Sequence, residues 1–218
     1  MSLFPYNTVE KFVFAALTLV IAFSVHEFAH AYTAWKFGDN TAKNQGRLTL
    51  NPVKHIDPIG AIMIFVVGFG WARPVPVNRF FFKNPRLAGI LVSVAGPISN
   101  FILASIGFIV FFSLGRFGAD GAFAETMLEF LNTFIWLNLV LFVFNLMPLP
   151  PLDGYRIVED LAPGGIRAKM TQYENYGSLI FLILVLTPLG DYTIWPVFRV
   201  ILPAIADGMY EFFLSFFI

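Results

Sequence analysis

The stretch from about Val9 to Phe37 is almost continuously apolar, yet it carries His26, Glu27 and His30 within five residues. A helix needs about 20 apolar residues to cross the ~30 Å hydrocarbon core of a bilayer, and this run is long enough. Ionisable side chains at that depth cost at least a few kcal/mol each and are kept where they serve a function. The run is too long for a secretory signal, and no small-residue cleavage site closes it, so a retained transmembrane helix is expected.

The rest of the chain points the same way. Of 218 residues, 57% are hydrophobic and 13% charged, against about 25% charged in a soluble domain. The expected fold is an all-α polytopic membrane protein, a single domain over 1–218 with a core at about 9–160 and C-terminal helices at about 173–218. Four to five transmembrane helices are predicted: Val9–Phe37, Leu87–Leu114, Ala122–Met147 and Tyr173–Leu189, with Ile194–Ile218 either spanning or lying in the interface. Ile59–Gly70 is apolar too, but twelve residues of helix cover only about 18 Å. A re-entrant segment is predicted there.

Charge placement sets the topology. Lys36, Lys43, Arg47, Lys54, Arg73, Arg79, Lys83 and Arg86 lie between the first two long apolar runs, against Asp39 and Asp57. The positive-inside rule puts that whole region on the cytoplasmic side of the cell membrane, which requires the short dip to enter and leave by one face. Gly46–Leu50 and Ala72–Val77 alternate with period two, so a small membrane-associated β-hairpin or sheet is expected beside the dip, with Pro74 and Pro76 confining the second strand to an edge. Lys+Arg and Asp+Glu balance at 14 each, so the net charge gives no pointer to nucleic acid, and none is expected as a partner. The chain has no cysteine, which excludes thiolate metal sites and Cys nucleophiles.

His26-Glu27-Phe28-Ala29-His30 is an HExxH. Residues i and i+4 of a helix share a face, so both imidazoles can reach one ion, with Glu27 beside it as a general base. With three His in 218 residues, chance produces this pattern on the order of once in a thousand such chains. A catalytic zinc takes three protein ligands and keeps one position open. Asp153 is the candidate third ligand, in a stretch (NLMPLPPLDG, 145–154) whose three prolines break the helix at membrane depth. The alternative for Asp153 is an ordinary helix-ending turn at the interface.

Three motifs together, HEFAH at 26–30, GPISN at 96–100 and NLMPLPPLDG at 145–154, make the chain resemble the site-2 protease family of intramembrane metalloproteases. NPVKHIDPIG at 51–60 and GWARPVPVN at 70–78 resemble its compact bacterial and archaeal subgroup, which lacks a PDZ or sensing domain. The resemblance implies one Zn2+ per chain on His26, His30 and Asp153, and Glu27 as the catalytic acid/base. It implies a membrane-protein or peptide substrate cleaved in or near a transmembrane segment; the positive-inside count, and not the resemblance, puts the active site toward the cytoplasm. It also implies a substrate-facing Asn145, with Asn100 beside the site. On residue type alone, Asn145 either holds substrate backbone or bonds a carbonyl freed by the prolines. His55 is either a contact at the site mouth or a structural residue of the Pro52–Pro58 turn. A membrane zinc transporter would also use His and Asp, but paired half-repeats are absent. An inactive client-binding relative would need neither Glu27 nor a full ligand set. The sequence sets no oligomeric state.

Overall fold

A computed structural model describes residues 8–67, 71–116, 118 and 120–217. The described chain is helical, with three helices long and apolar enough to cross a membrane. Helix α1 (Val9–Lys36) is capped by the Thr8 hydroxyl, which accepts from the Lys11 N–H, and carries Glu10 in its first turn, both favourable at a helix N-terminus. A single turn, α2 (Thr41–Asn44), and the short apolar helix α3 (Pro58–Val67) follow. Then come the long helices α4 (Pro85–Arg116) and α5 (Ala122–Asn145), and the shorter α6 (Asp153–Leu161), α7 (Gly164–Glu174), α8 (Gly177–Leu186), α9 (Leu189–Thr193) and α10 (Leu202–Leu214).

Helices α1, α4 and α5 form the framework. Ala15 and Leu19 of α1 pack on Leu137 of α5, and the Ile135 side chain of α5 sits in the space left by Gly107 of α4. Ile98, Ile102, Ile106 and Ile109 of α4 are exposed on the outside, the distribution expected of a helix that faces lipid. Apolar burial drives no association between helices inside a bilayer, so small residues that admit close backbone approach hold such bundles together.

The segment around α3 returns to its starting point. Ile56 and Ala72 form an antiparallel bridge, and the Arg73 N–H donates to the His55 carbonyl at 2.8 Å. Both ends of the dip therefore lie side by side, as the re-entrant reading requires; its last residues, 68–70, lie outside the described residues.

Two expectations need correction. First, no sheet forms among the described residues: that bridge is isolated, Gly46–Leu50 forms no strand, and Ala72–Val77, whose prolines favour extended geometry at Arg73 and Val75, has no pairing beyond the Ala72 bridge. Side chains take the place of a ladder there, because the Arg47 guanidinium bonds the Arg73 carbonyl and the Asp39 carboxylate accepts from the Asn78 N–H at 2.6 Å. Second, the predicted span Tyr173–Leu189 is cut to the ten residues of α8, since Pro188 disfavours helical geometry at Thr187. The final stretch, a π-helical turn at Val197–Ile201 leading into α10, packs against α4. Phe213 stacks on Phe108 and Phe217 on Phe112.

Candidate metal centre

Three side chains from two helices converge on one point. His26 and His30, one turn apart on α1, bring their Nε2 atoms to 3.0 Å from each other. Asp153, the first residue of α6, places Oδ2 at 3.2 Å from both. The Pro-rich break after α5 makes this possible by turning the chain back beneath α1. Gly154 completes the turn, because a Cβ there would lie 2.2 Å from the Leu146 carbonyl oxygen. Among the described residues this is the group of His and carboxylate side chains able to hold a metal ion, and both histidines are buried.

The hydrogen bonds around the rings decide where their protons lie. His26 Nδ1 is 2.7 Å from Asn100 Oδ1, and His30 Nδ1 is 2.7 Å from the Val92 carbonyl oxygen. A carbonyl oxygen only accepts, so each Nδ1 carries the hydrogen and each neutral ring turns a lone pair inward from Nε2. Asp153 Oδ2 is buried with no hydrogen-bond partner. Three acceptors facing one another at this range repel unless a cation lies among them. Ligands at about 2.0–2.1 Å from a tetrahedral zinc stand roughly 3.3 Å apart, close to the spacing observed. Gly96 of α4 leaves the room, since a Cβ on it would sit 2.3 Å from His30 Nε2 and 2.6 Å from His26 Nε2. The donor set, its spacing and the cradle fit a zinc ion.

Glu27 is buried, and its Oε2 accepts the Val75 N–H at 2.8 Å. Arg47 is buried close by: burial pulls its guanidinium below the ordinary arginine range, and the Glu27 charge pushes it back up. Of the other predicted residues, Asn100 joins the centre through His26. Asn145 donates to the Leu141 carbonyl of its own helix at 3.0 Å. His55 is fully buried, with Nε2 2.6 Å from the Thr49 carbonyl oxygen, and it stands outside the metal-binding group. Sequence reasoning missed Asn138 of α5, which is fully buried and bonded to Asn100; the signal was an amide in the otherwise apolar FIWLNLVLF. It also missed Arg47 and the role of Gly96.

A set of apolar helices holding two imidazoles and a carboxylate around a zinc-sized space, with the buried Glu27 of the HExxH beside them, fits a membrane-associated zinc metallopeptidase. Comparison with known proteins agrees. Residues 116–188, which include Asp153, match the model of Peptidase family M50. The chain is 59% identical over 198 residues to "Putative zinc metalloprotease YwhC" of Bacillus subtilis (strain 168), covering 90% of each chain. It is 31% identical over 191 residues to "Putative zinc metalloprotease Rip2" of Mycolicibacterium smegmatis, covering 84% of this chain and 71% of that one. No solved structure matches it significantly. The chain belongs to peptidase family M50 and is a zinc metalloprotease of the site-2 protease type.

Proposed function

We propose that this protein hydrolyses peptide bonds in or next to transmembrane segments of other membrane proteins, with its zinc on His26, His30 and Asp153. The observation that carries the reading is the convergence of Asp153 from α6 on His26 and His30 of α1, a helix of membrane-spanning length, with His26 ten residues before Lys36 and thus about 15 Å from the helix end. A bond cut there belongs to a substrate that is itself in the membrane. Zinc, when bound, supplies Lewis acidity that polarises a carbonyl and brings the pKa of water near 7.

Glu27 acts as the general base. Its carboxylate takes a proton from the attacking water as the oxygen bonds the scissile carbon, then passes that proton to the departing nitrogen as the C–N bond breaks. The Val75 N–H holds the Glu27 carboxylate in its orientation, with the Arg47 charge nearby.

A helical substrate hides its carbonyls in internal hydrogen bonds and must unwind to be cut. The extended segment at 72–77 is the natural support for the unwound strand. Along Arg73–Pro76 it has no backbone N–H to offer, since Arg73 and Val75 spend theirs inward and proline has none. The substrate strand therefore donates to carbonyls of this edge and accepts nothing from it. The basic residues that follow α1 begin at Lys36, ten residues past His26, and under the positive-inside rule they support a site toward the cytoplasm of a multi-pass protein. Asn145 and His55, both bonded to backbone carbonyls, serve the local structure around the site.

The test is cleavage of a single-pass model substrate by the full chain in liposomes. Wild type yields two fragments with ends inside or beside the span, and Glu27→Gln yields none while its zinc stays bound. Undiminished cleavage by Glu27→Gln would refute the base, and cleavage only far from the span would refute the intramembrane substrate.

A further inference from the structure

Asn138 lies one residue beyond the contacts that touch the metal ligands, and it sits in a hydrogen-bond chain with a defined direction. Its Nδ2 donates to the Phe134 carbonyl at 2.9 Å, and its Oδ1 accepts from Asn100 Nδ2 at 3.1 Å. Asn100 Oδ1 in turn accepts from His26 Nδ1. Asn100 and Asn138 are both fully buried, so neither amide exchanges these partners for water. A backbone carbonyl can only accept, which forces the Asn138 NH2 toward Phe134 and leaves its oxygen for Asn100. That forces the Asn100 NH2 toward Asn138 and its oxygen toward His26. The other donor contact of Asn100, to the Ala22 carbonyl, is 3.4 Å long and orients the amide weakly.

We propose that Asn138 is a positioning residue for the zinc site: through Asn100 it fixes the tautomer of His26, so that the Nε2 lone pair faces the metal. This rests on His26 being a zinc ligand. Without Asn138, Asn100 is free to rotate its amide and present NH2 to His26 Nδ1. That contact requires Nδ1 to accept, moves the ring hydrogen to Nε2, and turns an N–H toward the ion. α5, which supplies no ligand from its helical body, thereby sets the metal affinity of α1.

A double substitution separates this from simple packing. In Asn100→Asp both side-chain oxygens accept, so no rotation can present a donor to His26 and Asn138 loses its role. Zinc affinity is measured by chelator competition on the purified full chain in detergent. Asn138→Leu is expected to weaken zinc about tenfold or more, the range seen when an outer partner of a ligating histidine is lost, and to change nothing when added to Asn100→Asp. Asn138→Ala, which adds no bulk at an enclosed position, is run in parallel and follows the same pattern if the leucine variant fails to fold. An equal loss of affinity in both backgrounds, or no loss with Asn100 intact, overturns the proposal. Failure of the zinc reading itself looks different, because wild type would then bind no zinc that depends on His26.

Discussion

The backbone N–H of Val75 points at the carboxylate of Glu27, 2.8 Å from Oε2, and it comes from a residue flanked on both sides by proline. The segment thus delivers a single donor to the one acidic side chain of the HExxH. A hydrogen bond to a charged group contributes about 1.5–3 kcal/mol, enough to hold a catalytic carboxylate in one orientation.

Val75→Pro removes that donor while leaving the zinc ligands intact. Turnover of a model substrate is expected to fall about tenfold or more, in line with the loss of one charge-assisted bond, with zinc content unchanged. Val75→Ala, which keeps the N–H, should stay near wild type. Equal effects of the two variants on kcat would show that side-chain packing, and not the donor, matters.

Gly96→Ala places a methyl group 2.3 Å from His30 Nε2. The two long helices cannot both keep their positions around it, so zinc affinity should drop by about two orders of magnitude, comparable to a severe disturbance of the ligand shell. Gly107→Ala, also on α4, meets Ile135 of α5 at 2.7 Å and should lower thermal stability with zinc retained. Metal analysis of the two proteins side by side checks the contrast.

Arg79 anchors the far end of the helix that begins with Asp153. It bonds Asp160 Oδ1 at 2.7 Å, and Arg167 bonds the same oxygen at 3.0 Å. Burial pushes the Asp160 carboxyl above the usual aspartate range, and Arg79 and Arg167 pull it back down. Arg79→Met removes part of that compensation from a buried charge, which costs about 3 kcal/mol. Because its folded pKa is raised, Asp160 weighs against the fold once pH exceeds its unfolded value, and the variant raises that pKa further. The deficit should therefore be largest at neutral pH and shrink as acid protonates Asp160. Thermal inactivation midpoints of both proteins across pH 4–8 would show this; a pH-independent deficit would contradict it.

How much of this was legible from residues alone depended on how local the signal was. His26 and His30 announce themselves through their four-residue spacing on a helix, and Asp153 through the prolines that break α5 before it. The closing of α8 was also on view, since Pro188 bars a helical Thr187, but the apolar run hid it. The strand expectation failed because alternation at Gly46–Leu50 and Ala72–Val77 says nothing about partners, and here Glu27, Arg47 and Asp39 took the bonds a neighbouring strand would have taken. Asn138 showed only as a lone amide in an apolar helix, and what it and Gly96 do was illegible for a related reason. Their roles exist only where α4 meets α1 and α5, and neither residue carries its partner within its own helix.

The central claim is that His26, His30 and Asp153 hold one zinc and that Glu27 does not ligate it. Zinc bound per chain, measured on purified full-length protein after stripping and reloading with one equivalent, tests this directly. Wild type and Glu27→Gln should each retain one zinc through a chelator wash that empties His26→Ala, His30→Ala and Asp153→Ala. An Asp153→Ala protein that keeps its zinc as firmly as wild type would contradict the account.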